Sequence, residues 1–103
     1  MIDRLINLME LLNESPDDAF LRYAVALEYV SRNDDDTALQ YFTELKEQHT
    51  DYLPMYYQLG KLYERKQKTD LAIQTYEEGM VVASHQKDMH TRSELQSALD
   101  DLY

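Results

Sequence analysis

The 103-residue chain sets twenty acidic against ten basic residues, a formal charge of −10 at pH 7 that repels phosphate backbones and argues against nucleic acid as a partner. It contains no cysteine, which removes disulfides, thiolate nucleophiles and Cys-containing zinc sites together. With 44% hydrophobic residues and only two glycines and two prolines, the composition favours long uninterrupted helices over disorder or a turn-rich β fold.

Residues 2–12 open the chain with Ile2, Leu5, Ile6, Met9 and Leu12 at helical spacing, and Leu8 and Leu11 widen the apolar arc until it can touch neighbours on two sides. Ser15-Pro16-Asp17-Asp18 reads as a helix start, with Ser15 as the capping hydroxyl, Pro16 in the first turn and two carboxylates at the positive helix end. A helix of about 16 residues is expected to follow, carrying Phe20, Tyr23, Ala24, Leu27, Tyr29 and Val30 and ending near Asn33. Asn33-Asp34-Asp35-Asp36 supplies a turn and another N-cap for a helix over about 36–49. His49-Thr50-Asp51 breaks it, Asp51 is a candidate cap, and Pro54 fits only the first turn of a helix running to about Lys66. Thr69-Asp70 starts the next helix, and the last begins between Asp88 and Ser93, where Thr91-x-x-Glu94 reads as a capping box ahead of the stripe Leu95, Ala98, Leu99, Leu102. Six helices and no strands are predicted, with no linker to mark a domain boundary. No apolar run reaches the roughly 18 residues of a membrane span, and the opening Met1-Ile2-Asp3-Arg4 lacks the pattern of a secretory signal, so the cytoplasm is the expected location.

A 34-residue step joins these elements. Val25/Leu59, Ala26/Gly60, Tyr29/Tyr63, Ala38/Ala72, Leu39/Ile73, Gln40/Gln74 and Phe42/Tyr76 are all separated by that interval. Antiparallel helices that cross closely need a small side chain at the crossing, which Ala26/Gly60 and Ala38/Ala72 supply, while the recurring aromatic and aliphatic residues fill the space beside it. A helix–turn–helix unit of this length leaves an apolar face that its next copy covers.

Leu59-Gly60-x-x-Tyr63 followed by Ala72 and Tyr76 resembles the tetratricopeptide repeat, and Val25-Ala26-x-x-Tyr29 with Ala38 and Phe42 resembles a second copy. The resemblance implies an all-α, tetratricopeptide-like α-solenoid of about six antiparallel helices in a right-handed superhelix. It implies one domain over 1–103, with full units at 19–52 and 53–86 and a polar-faced capping helix at 88–103. Leu5, Leu8 and Leu11 fall in register with Leu39, Phe42 and Leu45, so residues 1–15 resemble the second helix of a truncated preceding repeat. Arg22 stands where the family prefers Trp, Tyr56 keeps an aromatic there in the second copy, Thr50 and Ser84 replace the usual closing Pro, and Leu45 and Arg4 replace small residues.

Such arrays are generally non-catalytic and bind peptides or partner proteins along a concave surface lined by the first helix of each unit. Carried onto this chain, that surface implies a groove of Phe20, Tyr23, Leu27 and Val30 from one helix and Tyr57, Lys61, Glu64 and Arg65 from the next. The first set suits an apolar anchor, or else it is core; Lys61, Arg65 and Lys68 could hold a carboxylate, or else they answer the dipole of a helix C-terminus. The family's clamp for chaperone C-termini uses Lys and Asn where Tyr23 and Leu27 stand, so that ligand is not implied. Two full units are fewer than the roughly three that such arrays need to cover their ends, so the alternative role is a homodimer formed through the apolar 2–12 helix or through the groove. His49, His85 and His90 fall at helix ends without metal-binding spacing, Asp34-Asp35-Asp36 lacks the Gly and distant Glu of a calcium loop, and no phosphate loop or nucleophile elbow occurs. No catalytic residue, metal or cofactor is therefore expected.

Overall fold

The computed structural model describes residues 3–103, and the expected place of Ile2 in the first helix lies outside them. Over these residues the chain forms six α-helices: α1 (Arg4–Glu14), α2 (Ala19–Ser31), α3 (Asp35–Gln48), α4 (Pro54–Arg65), α5 (Thr69–His85) and α6 (Met89–Asp100). No strand occurs among the described residues. The helices group into two compact units, Met1–Tyr52 and Leu53–Tyr103.

Carboxylates start most of these helices. Asp3 accepts from the Leu5 N–H, Asp18 from Leu21, Asp34 from Thr37 and Asp88 from Thr91. Each satisfies one of the amide groups that the first turn leaves unpaired. Three predicted starts move. Asp18, not Ser15, caps α2, and Pro16 lies outside the helix, where its carbonyl accepts from the Arg22 guanidinium at 3.0 Å. The α2 helix is consequently 13 residues long, shorter than the predicted 16 or so. The cap of α6 is Asp88 with Thr91, whose hydroxyl donates to the Asp88 carboxylate at 2.8 Å, so the box lies three residues before the predicted Thr91–Glu94 pair. At α4 the N-cap position belongs to Leu53, not Asp51, and no side chain caps it; Pro54, which has no N–H to satisfy, takes the first helical position.

Three turns share one construction. Asn33, Gln67 and Lys87 have φ of 62°, 59° and 59°. The amide after each returns to the carbonyl five residues back: Asp34 to Tyr29, Lys68 to Tyr63 and Asp88 to Ala83, all at 2.9 Å. These are Schellman closures, and the residue that completes each one also stands at the start of the next helix. Asp34 and Asp88 cap that helix with their side chains, whereas Lys68 places a cation there and makes no cap.

The 34-residue pairs occupy matching surroundings. Val25 and Leu59, Ala26 and Gly60, Ala38 and Ala72, and Phe42 and Tyr76 are all buried; Tyr29 and Tyr63, and Leu39 and Ile73, are half-buried; Gln40 and Gln74 are exposed. At the α4–α5 crossing the Tyr76 ring lies directly on Gly60: a Cβ added there would sit 2.6 Å from Tyr76 Cζ and 2.7 Å from Cδ1. Gly79 is equally confined, with an added Cβ 2.6 Å from Tyr56 Cβ and 3.0 Å from Leu95 Cδ1. Gly79 is the counterpart of Leu45, so the second unit keeps a small residue where the first has a large one.

Within the first unit Arg22 takes the place of an aromatic by pairing with Glu44 of α3 at 2.6 Å, its side chain only 13% exposed. Asp3, Arg32, Glu28 and Arg4 form a chain of ion pairs that fastens α1 to α2. The Arg32 guanidinium, followed by the Leu5 amide, holds the Asp3 carboxyl below the usual carboxylate range. Tyr29 and Tyr41 stack, with centroids 5.6 Å apart and an interplanar angle of 19°.

Two stability outcomes follow from this geometry. Gly60→Ala is expected to lower stability by about 1–3 kcal/mol, because the buried Tyr76 ring has to move, as read from urea denaturation. Lys68→Asp is expected to raise it by about 1 kcal/mol by supplying the cap that α5 lacks, with the gain visible as a higher denaturation midpoint.

Candidate functional site

The first helix of each full repeat carries the side chains that the family resemblance assigned to binding. On α2, Phe20 is in the first turn and 63% exposed. Tyr23 is one turn further on and half-buried; its ring meets Phe42 edge-on at 6.3 Å and Tyr52 at 5.4 Å. That packing raises the Tyr23 phenol pKa, chiefly through desolvation and then through Tyr52. Leu27 and Val30 are half-buried. The two expectations for this helix thus divide by residue: Tyr23 serves the packing of its own unit with one side of its ring, and Phe20 is presented to solvent.

On α4, Tyr57, Lys61 and Glu64 follow at intervals of four and three residues and share one face. The Lys61 ammonium is 5.4 Å from the centroid of the Tyr57 ring and 3.6 Å from a Glu64 carboxylate oxygen. Glu64 in turn accepts a hydrogen bond from the Tyr76 hydroxyl of α5, and the Tyr57 and Tyr76 rings are 6.5 Å apart. Burial, then the Glu64 carboxylate, drives the Tyr76 phenol pKa far upward, so the hydroxyl stays a donor throughout the accessible pH range. Arg65 is exposed at the end of the helix. The arrangement fixes one aromatic ring beneath one cation, with a carboxylate holding that cation in place.

Tyr76 is the part of this network that sequence reasoning missed. Its place in the 34-residue pairs marks it as a packing aromatic, and its hydroxyl reaches Glu64 because Gly60 lets the ring lie close to α4. Two clefts of the second unit were also missed. One, of about 440 Å³, lies beside Tyr57 and Gln58 and is bounded by Gln86, Asp88, Thr91 and Glu94. The other, of about 470 Å³, runs between α5 and α6. The first is walled by α4 and the start of α6, the second by α5 and α6, and helical spacing within one helix does not show how α6 packs on either. Of the histidines, His90 pairs with Glu94 of its own helix at 2.8 Å and is well exposed.

Two family models, both described as tetratricopeptide repeat, match residues 18–52 and 53–80. A solution structure of a tetratricopeptide repeat domain protein from Salinibacter ruber is 45% identical, covers 84% of this chain and 88% of its own, and superposes with a TM-score of 0.81. A crystal structure of the tetratricopeptide repeat domain protein from that organism is also 45% identical, with 82% and 94% coverage and a TM-score of 0.79. A protein from Bordetella parapertussis, 24% identical with 99% and 89% coverage, shares the fold at a TM-score of 0.85. No curated protein matches.

The fold is therefore an all-α helical repeat of the kind that typically serves as a non-catalytic scaffold. The chain belongs to the tetratricopeptide repeat family, whose repeats generally mediate protein–protein interaction. No helix among the described residues is long and apolar enough to cross a membrane.

The Asp88 cap gives a pH-dependent outcome. Its carboxyl is held below the ordinary value of 3.8 by the Thr91 amide and then the Thr91 hydroxyl. A depressed folded-state pKa stabilises above the unfolded pKa, and the contribution is lost as pH falls through the folded value. Asp88→Asn, which keeps a capping oxygen without the charge, is expected to flatten the fall in Tm below about pH 4, the unfolded carboxylate range; an unchanged acid limb would remove the cap from the account.

Proposed function

We propose that the protein is a protein-interaction scaffold without chemistry of its own, acting in the cytoplasm, and that α2 and α4 present the side chains that meet a peptide or partner protein. Phe20, Tyr23, Leu27 and Val30 supply an apolar face on the first of these helices. Tyr57, Lys61, Glu64 and Arg65 supply a mixed aromatic and charged face on the second. The observation that carries the proposal is the Tyr57–Lys61–Glu64–Tyr76 network. It holds an aromatic ring and a cation in fixed relative positions on a half-exposed face, so little side-chain entropy remains to be lost on binding. Phe20 adds an exposed aromatic of the type that anchors interfaces. An apolar side chain of a partner would meet its complement on α2, and a partner's carboxylate would meet Lys61 on α4.

Exposure on α1 favours a second role in self-association. Ile6 and Leu11 are 60% and 41% exposed on a helix whose apolar arc is wider than α2 alone covers.

Display of a peptide library to the wild type, Tyr57→Ala and Lys61→Glu proteins tests the first proposal. Peptides selected by the wild type are expected to bind each variant about tenfold or more weakly, with Lys61→Glu selectively discarding acidic sequences. Equal affinity across the three proteins would place binding elsewhere.

A further inference from the structure

We propose that α1 of one molecule docks in the cleft between α5 and α6 of another, so that the two helices α6 and α1 complete a repeat across a head-to-tail junction. The proposal rests on the self-association role just given and names the surface that α1 meets.

The first support is a difference in burial between equivalent positions. Stepping by 34 residues, Leu8 and Leu11 of α1 correspond to Phe42 and Leu45 of α3. Phe42 and Leu45 are fully buried, because α3 packs against the first helix of its own repeat. Leu11 is 41% exposed and Leu8 half-buried. The α1 helix thus has the side chains of a second helix, with the face that a first helix would cover left exposed.

The second support is that α6 lacks the complementary neighbour. It matches the first helix of a repeat: Asp18 and Asp88 are equivalent N-caps, Arg22 and Arg92 are each the fourth helical residue, and Val25 and Leu95 are both fully buried. No second helix among the described residues packs on the far side of α6. The cleft between α5 and α6 runs along the surface for about 12 Å, the rise from Glu77 to His85 on α5. Val81, 58% exposed, lies in it with Met80 and Leu99, and Arg92 and Gln96 line the α6 side. The 11-residue α1 is long enough to fill it.

Charge selects the occupant. In the first unit Arg22 pairs with Glu44 between the first and second helices of the repeat. The α6 counterpart of Arg22 is Arg92, which faces the cleft and bonds Ser84 at 2.9 Å. The α1 counterpart of Glu44, 34 residues earlier, is Glu10, which is exposed. A junction built like the Arg22–Glu44 repeat brings Glu10 of one copy to Arg92 of the next, and places Leu8 and Leu11 over Gln96, Met80 and Val81. Because the two surfaces differ, the contact is heterologous and propagates into a ring or a chain instead of stopping at an isologous pair.

The test is sedimentation velocity on the full chain from micromolar to submillimolar concentration. The wild type is expected to form species larger than a dimer as concentration rises. Val81→Asp and Leu11→Asp change exposed side chains, so both are expected to keep the helical circular dichroism and each to sediment as a monomer. Mixed together they are expected to form a defined one-to-one dimer, because one retains a working α1 and the other a working cleft. Glu10→Lys and Arg92→Glu separately weaken association by about tenfold, and the double exchange restores it. An association that Leu11→Asp abolishes and Val81→Asp leaves intact would overturn the junction while preserving self-association through α1. A wild type that stays monomeric throughout would overturn both.

Discussion

The contact on which the second unit depends is the Tyr76 ring lying on Gly60. It sets how closely α4 and α5 approach, and three further features follow from that separation. Tyr76 can bury its ring completely, its hydroxyl can reach Glu64, and Glu64 can hold Lys61 over Tyr57. A packing constraint at one backbone position thereby becomes a chemical constraint on the exposed face of α4. Gly79 performs a similar service one helix further on, admitting Tyr56 and Leu95 against the α5 backbone. The first unit solves the same crossing with Ala26 and Phe42 and keeps Leu45 where Gly79 stands, so the two units are homologous in plan and different in fit. Close packing tolerates such differences only when large and small side chains exchange places.

Much of the fold was legible because the 34-residue step is a constraint on packing, and packing residues are chosen for size. Matching burial along the seven pairs shows that the interval reports physical equivalence, not chance spacing. Helix starts were less legible. Ser15 and Thr91 have suitable side chains, but Asp18 and Asp88, each three residues away, occupy the N-cap positions themselves and place an anionic oxygen at the positive helix end. Asn33, Gln67 and Lys87 adopt left-handed dihedrals without any glycine to announce them. Only Asn33 carries a residue type that favours that conformation, so two of these three closures leave no compositional mark.

The binding face was legible in its membership and not in its organisation. Sequence spacing brings Tyr57, Lys61 and Glu64 to one side of a helix, yet nothing in the spacing shows that Glu64 also serves Tyr76 from the neighbouring helix. The same limit applies to Tyr23, whose ring is shared between solvent and two aromatic neighbours of its own unit. Arg22 is the clearest substitution of one solution for another: an ion pair to Glu44 does the work of an aromatic at that site, and its recurrence as Arg92 without a local carboxylate of that kind directs attention to α1 of another molecule.

A double-mutant cycle on Gly60 and Tyr76 tests the central contact most directly. If the ring's approach to the backbone is what Gly60 serves, then Gly60→Ala should be costly in the wild type and nearly free after Tyr76→Ala has emptied the space, with a coupling of about 1–3 kcal/mol between the two sites. Additive losses would contradict the account, because they would mean that Gly60 and Tyr76 stabilise the unit independently.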